Sequence, residues 1–324
     1  MSLCKRVEAD LRPLVPTADP TADRVSNEAK AARYRIYDGR LQSAGGGRRG
    51  ATAGKSGTAG RLVYAIGDVH GRYDLLCRLI GQISQDLQGS AGGRVPVIVF
   101  CGDYVDRGPD SALVLEALLY LQACAAWELI LLKGNHEQGL LEFLDAPAAG
   151  GAWLRFGGEA TLDSYGVARP DPAREAALIG ARDALLAVMP ASHLRLLQGL
   201  DLLAVIGDHA FVHAGVAPGT PLLKQRQADL LWIRGEFLQA SRPCEKIVVH
   251  GHTWTSVEPT LLPHRIGLDT GAYETDVLTA VRLDGTSRRV LQTRETAGLV
   301  PQPADFTRSG WGVNLDLRPT ASAA

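Results

Sequence analysis

Residues 61–71 read Arg-Leu-Val-Tyr-Ala-Ile-Gly-Asp-Val-His-Gly, and residues 96–108 read Pro-Val-Ile-Val-Phe-Cys-Gly-Asp-Tyr-Val-Asp-Arg-Gly. Each is a short apolar run that breaks at Gly-Asp. A run without polar alternation is the pattern of a strand buried on both faces. Between them, Leu75, Leu76, Leu79, Ile80, Ile83 and Leu87 recur at helical spacing and predict a helix over 73–87. Outward from this pair come a helix at 111–123, a strand at 129–132 and a helix at 136–144. Strand alternating with helix gives β-α-β units and an α/β sheet covered on both faces. From 152 to 199 the pattern is mostly helical with Gly and Pro breaks. Strands follow at 205–207, 210–213, 246–250, 265–268 and 277–283, so the later half is strand-rich.

The chain has 324 residues, 46% hydrophobic and 21% charged, enough to bury a sizeable core. A formal net charge of −1 excludes nucleic acid as a main partner. The charge is uneven: residues 1–61 hold 12 Lys and Arg against 6 Asp and Glu, leaving 22 against 29 for the remainder. An acidic body is expected where carboxylates bind cations. The stretch 43–60 is nearly all Gly, Ala, Ser, Thr, Arg and Lys, with little apolar surface to offset its ordering entropy. Residues 1–60 are therefore expected to be a poorly ordered segment, apart from a helical-looking piece near 27–37, and 299–324 a tail. The folded domain spans 61–298, with a helical, cap-like insertion at about 147–200. Gly54-Lys55-Ser56 is not a P-loop, because Arg49 stands where that motif needs Gly and no apolar strand precedes it. Five scattered cysteines without C-x-x-C spacing argue for reduced thiols and a cytoplasmic protein. No run of 18 apolar residues predicts a membrane span, and the N-terminus lacks the apolar core of a signal peptide.

The chemistry-bearing residues collect where strands end: Gly67-Asp68-Val69-His70-Gly71, Gly102-Asp103-Tyr104-Val105-Asp106-Arg107-Gly108, Gly134-Asn135-His136-Glu137, His213-Ala214-Gly215 and His250-Gly251-His252-Thr253. In an open α/β sheet, ligands sit beyond the carboxyl ends of the strands. Carboxylate and amide oxygens with imidazole nitrogens suit Mn, Fe, Zn and related ions. The set is too large for one metal with an open position, and fits two ions about 3.5–4 Å apart sharing a carboxylate. His250 and His252 compete for one role: they alternate by two along a strand, so they are expected to point the same way. Glu137 reads as a first-turn charge that suits the helix dipole, Cys101 as a core thiol, and His193, His209 and His264 stand in no motif.

These five motifs, in this order, resemble the phosphoprotein phosphatase family of calcineurin-like metallophosphoesterases, in its bacterial and phage branch. The resemblance covers about 61–283. It implies a four-layer β-sandwich flanked by helices, with a dimetal site at the strand-end loops. By motif, Asp68, His70 and Asp103 would bind the first metal, with Asp103 bridging to the second, which Asn135, His213 and His252 complete. His136 would protonate the leaving oxygen with Asp106 orienting its ring, while Arg107, Asn135 and Arg234 hold the phosphate. Arg234 comes from Leu230-Leu231-Trp232-Ile233-Arg234, similar to an element of the phage-type enzymes. His250 would be an outer partner of the site, and Tyr273 would line its rim. Two divalent ions are implied, manganese first, with Fe, Zn, Ni or Mg acceptable to the same donors.

A bridging water between two dications loses its proton near neutral pH and attacks phosphorus in line. Counting two dications, hydroxide, Asp68, Asp103, Asp106 and two arginines, the site carries +2, which favours a phosphomonoester dianion. The first reading is a phosphatase for phosphoserine and phosphothreonine proteins, with phosphotyrosine or small phosphoesters as further substrates. The alternative is a symmetrical dinucleoside polyphosphate hydrolase, whose second motif usually lacks Tyr-Val-Asp-Arg-Gly. A non-catalytic phosphoprotein-binding scaffold is the third. Ala152–Gly166 departs from the eukaryotic pattern; Trp153, Phe156 and Tyr165 either line a substrate rim or pack a helix. Oligomeric state is not legible.

Overall fold

The computed structural model describes residues 3–15, 34–36, 57–90, 92–241 and 244–294. In chain order its strands are β1 (Tyr34–Ile36), β2 (Leu62–Ile66), β3 (Val97–Phe100), β4 (Glu128–Leu131), β5 (Leu203–Ile206), β6 (His209–Val212), β7 (Ile247–His250), β8 (Thr260–Leu261), β9 (Arg265–Gly267), β10 (Thr279–Asp284) and β11 (Ser287–Gln292). The helices are α1 (Leu3–Leu11), α2 (Tyr73–Ser90), α3 (Ser111–Cys124), α4 (Asn135–Asp145), α5 (Gly151–Trp153), α6 (Glu159–Ser164), α7 (Glu175–Val188), α8 (Ala191–Gln198), α9 (Gln227–Trp232), α10 (Gly235–Gln239) and α11 (Ala272–Thr275).

Every residue of β2 is buried. Leu62, Tyr64 and Ile66 face a core shared with α2, α3 and α4, while Val63 and Ala65 face the other way, into a core shared with β6, β7 and β9. The uninterrupted apolar run is thus the two-residue period of a strand with no solvent face. The two faces are covered differently. Five strands pair in the order β11-β10-β2-β3-β4, with β2, β3 and β4 parallel. Six pair in the order β1-β5-β6-β7-β9-β8. Val63, Val99 and Ile130 of the first sheet meet Ile206, Phe211 and Val249 of the second. Beyond the second sheet, Val205, Val212 and Val248 pack on Leu222, Leu230 and Phe237. Helix, sheet, sheet, helix is the four-layer sandwich that the resemblance implies, a mixed α/β fold.

Three parts of the front of the chain are among the described residues, 3–15, 34–36 and 57–60. Leu3, Val7, Leu11 and Val15 recur every four residues and give α1 one apolar stripe. Val7 and Leu11 are fully buried in the main core, and Tyr73 Oη donates to Asp10 at 2.9 Å. Burying such side chains stabilises by about 1.5–3 kcal/mol each. Tyr34–Ile36, within the helical-looking piece near 27–37, is an edge strand parallel to β5, with Arg35 paired to Asp201. Thr58 is buried, and Gly57 C=O accepts from Asp208 N–H at 2.7 Å. Residues 1–2, 16–33 and 37–56, and those after Arg294, lie outside the described residues. Among the described residues no helix is long and apolar enough to cross a membrane.

Candidate active site

The loops after β2, β3, β4, β6 and β7 converge at one edge of the sandwich, and their backbones are held in an uncommon state. His70, Asp103, Asp106, Arg107 and His252 all have positive φ, between 44° and 72°. Such conformations cost of order 1–3 kcal/mol each and persist only where the surroundings over-determine them. Two glycines permit the closest approaches. A Cβ on Gly134 would lie 2.0 Å from Asp103 Oδ1, and one on Gly251 would lie 1.8 Å from Asp68 Oδ1.

Asp103 sits at the centre. Its Oδ2 lies 3.5 Å from His70 Nε2, 3.4 Å from His213 Nε2 and 4.0 Å from His136 Nε2, and Oδ1 accepts the His136 backbone N–H at 3.1 Å. Burial opposes its ionisation, but the surrounding imidazoles of His213, His136, His70 and His252 hold the carboxyl well below its usual range. His70 donates from Nδ1 to Val105 C=O at 2.9 Å, and His213 from Nδ1 to Cys101 C=O at 2.8 Å. A carbonyl only accepts, so both rings carry their proton on Nδ1 and turn a bare Nε2 inward. Burial also lowers the proton affinity of both rings.

This donor set fits metal ions. His213 Nε2 stands 2.8 Å from Asn135 Oδ1, two lone pairs face to face. Asp68 Oδ2 accepts His252 N–H at 2.9 Å, while buried Oδ1 finds no donor among the described residues. Burial first, then Asp269 and Asp103, push the Asp68 carboxyl well up, the response of crowded carboxylates that lack a counter-cation. Two groups of ligand atoms lie within 4.8 Å of one another: His70, Asp103 and His136; and Asp103, His213 and His252. Asp103 belongs to both.

Around this centre stand Asp106, His136, Arg107 and Arg234. Asp106 Oδ2 accepts from His136 Nδ1 at 2.7 Å. Burial lowers the proton affinity of His136, but Asp103 and Asp106 together raise it above the ordinary imidazole value. Arg107 Nη2 reaches 3.2 Å from His136 Nε2, and its guanidinium lies 4.6 Å over the ring of Tyr273. Across the site, Arg234 Nε donates to His252 Nε2 at 3.0 Å. An imidazole that accepts there carries its proton on Nδ1 and has no bare nitrogen left. Metal ligation by His252 through either nitrogen therefore requires Arg234 to let go.

The structure thus brings together Asp68, His70, Asp103, Asp106, Arg107, Asn135, His136, His213, Arg234, His252 and Tyr273. His250 does not enter: its ring meets Phe237 edge-on at 5.0 Å and Arg265 Nη1 at 3.3 Å, and Nδ1 donates to Gly251 C=O. The strand ends at His250, so the expected alternation stops before His252. Tyr165 turns away as well, its Oη 2.6 Å from His193 Nδ1, and Phe156 is 62% exposed. Trp153 points inward, to Asp106.

Two participants were not expected from sequence. Glu137 is fully buried and accepts backbone N–H bonds from Asp103 (2.9 Å), Tyr104 (2.7 Å), Val105 (3.2 Å) and Gly134 (2.8 Å). Burial and Asp103 push its carboxyl up to about 7, against the pull of those amides. The available signal was its position three residues after the cap Gly134, where a Glu reaches back over the helix start. Asp269 faces Asp68, and burial with Asp103 pushes it up to about 6. Its signal was Asp269-Thr270-Gly271 following an apolar strand.

The calcineurin-like phosphoesterase profile matches residues 62–256, and the chain belongs to that family of hydrolases. Serine/threonine-protein phosphatase 2 of Escherichia coli (strain K12) is 33% identical over 103 residues, 32% of this chain and 41% of that protein. Serine/threonine-protein phosphatase 1 of Salmonella typhimurium is 33% identical over 99 residues, 31% and 40%. The symmetrical bis(5'-nucleosyl)-tetraphosphatase of Xanthomonas axonopodis pv. citri is 38% identical over 79 residues, 24% and 22%. The matched stretch spans less than half of each relative. A solved structure of a cold-active protein tyrosine phosphatase superposes with a TM-score of 0.45 at 21% identity, covering 71% of this chain and 78% of that one.

Proposed function

We propose that the chain hydrolyses phosphomonoesters with two divalent metal ions, manganese by preference, and that its substrates are phosphoserine and phosphothreonine proteins. Asp68, His70 and Asp103 would hold one ion; Asp103, Asn135, His213 and His252 would hold the other. When bound, the ions supply Lewis acidity at the phosphoryl oxygens and make water a competent nucleophile at neutral pH. The observation that carries the reading is the position of Asp103 Oδ2, 3.4–4.0 Å from three imidazoles on three different loops.

The protein's own residues do the rest. Arg107 and Arg234 offer planar forks to the phosphate oxygens, and the Asn135 amide would add a further contact. As the P–O ester bond breaks, its electron pair stays on the leaving oxygen, which takes a proton from His136 Nε2. The Asp106 carboxylate holds the opposite side of that ring and stabilises the imidazolium before transfer. Once Nε2 is protonated it no longer accepts from Arg107, which is then free to turn to the phosphate. A reducing compartment, the cytoplasm, belongs to this reading, on the odd number and wide spacing of the cysteines.

A second reading, hydrolysis of a dinucleoside polyphosphate, is favoured by the 38% identity to the Xanthomonas enzyme. Tyr104-Val105-Asp106-Arg107 favours the first. The test is hydrolysis of a phosphothreonine peptide, a phosphotyrosine peptide and diadenosine tetraphosphate, side by side, by manganese-loaded protein. The first reading expects the phosphothreonine peptide to lead; preference for the dinucleotide contradicts it.

A further inference from the structure

Trp153 and Thr161 lie outside every motif loop, on the segment that runs from α5 through a kink at Gly157 (φ 111°) into α6. Both turn into the Asp106 carboxylate. Trp153 Nε1 donates to Oδ2 at 2.9 Å and Thr161 Oγ1 donates to Oδ1 at 2.6 Å. The Asp106 N–H is shared between Thr161 Oγ1 and Ser111 Oγ, each at 3.0 Å. The Gly157 carbonyl accepts the Arg107 N–H at 3.1 Å. Trp153 also stacks on Phe143 of α4, the helix that carries His136, with centroids 4.6 Å apart.

These contacts have a geometric consequence. Asp106 is fully buried on a left-handed backbone, φ 72°. One donor on each oxygen fixes the plane of its carboxylate, and the Nδ1 bond passes that plane to the His136 ring. Catalytic geometry tolerates errors of only about 10–20°. With either donor gone, the carboxylate gains a torsional freedom that the ring follows, and Nε2 loses its aim at the leaving oxygen.

We propose that Trp153 and Thr161 are positioning residues for leaving-group protonation, so that the segment 151–166 sets the aim of the acid. The inference rests on the reading of His136 as that acid. It belongs to the residues themselves: the insertion acts through Asp106 rather than as a rim.

The test compares kcat/KM for a phosphoserine peptide, whose leaving alkoxide needs a proton, with 4-nitrophenyl phosphate, whose leaving group does not. The ratio between the two substrates is independent of how much of a variant is folded. Thr161→Val and Trp153→Phe should each lower the peptide rate by about 10- to 100-fold, as loss of a supporting hydrogen bond does, and the aryl phosphate rate by less than about threefold. Thr161→Ser, which keeps the hydroxyl, should restore the wild-type ratio. His136→Ala should change the ratio in the same direction and further. If His136→Ala is selective for the peptide while Thr161→Val and Trp153→Phe lower both substrates equally, the proposal is overturned and the acid reading stands. If His136→Ala itself shows no selectivity, the acid reading falls, and this inference with it.

Discussion

The two halves of the site are built differently. The loops after β2, β3 and β4 are tied to one another: Glu137 holds four backbone amides from two of them, and the segment 151–166 holds Asp106 and Arg107 from behind. The loops after β6 and β7 are joined by Gly251 N–H on His213 C=O, and there Arg234 is engaged with His252, a residue that ligation would require free. Preorganised dipoles are worth most where charge develops without further reorganisation. On the proposed reading the first half suits proton delivery and phosphate alignment, while the second would have to change partners for metal to bind.

The largest effect that sharpens this contrast is on the braced side. His136→Ala should lower turnover of alkyl phosphates by about 100- to 10,000-fold, with metal content near normal. Survival of activity on poor leaving groups would remove the acid from that half. Next comes Glu137→Gln, which replaces a carboxyl that accepts from four amides by a group with one acceptor oxygen. A loss of about 10- to 100-fold in kcat/KM is expected, with weaker manganese affinity measured by titration calorimetry; unchanged values would show that the loops hold themselves. On the other side, Arg234→Ala should raise KM for phosphate esters by about tenfold, one charge-assisted hydrogen bond, yet leave manganese affinity equal or tighter, since a competitor for His252 is gone. Weaker metal binding would contradict the exchange of partners. The smallest effect on chemistry is remote. Leu11→Ala should destabilise by about 2–5 kcal/mol in denaturant unfolding, with turnover per folded molecule unchanged; no loss of stability would return α1 to the status of a tail.

The strands that end in site residues were legible because burial on both faces leaves no polar position to confuse the period. β2, β3 and β7 fall within a residue or so of where the apolar runs placed them. α1 was hidden by its basic surroundings, although Leu3, Val7, Leu11 and Val15 carry its stripe. β11 was missed because this edge strand opens on Ser287, Arg288 and Arg289 before Val290 and Leu291, and reads as charged. The ligand types were readable from the order of the motifs. The bracing was not: Trp153 meets Asp106 across 47 positions of sequence, a contact that no local spacing encodes.

The shared carboxylate is the centre of the account, and metal stoichiometry tests it most directly. Manganese bound per chain should be counted in wild-type protein and in Asp103→Asn, by inductively coupled plasma mass spectrometry after equilibrium dialysis. Two ions in the wild type, with both sites weakened by the single substitution, is the result expected. Full occupancy of both sites in Asp103→Asn, or a fully active wild type holding one ion, would contradict it.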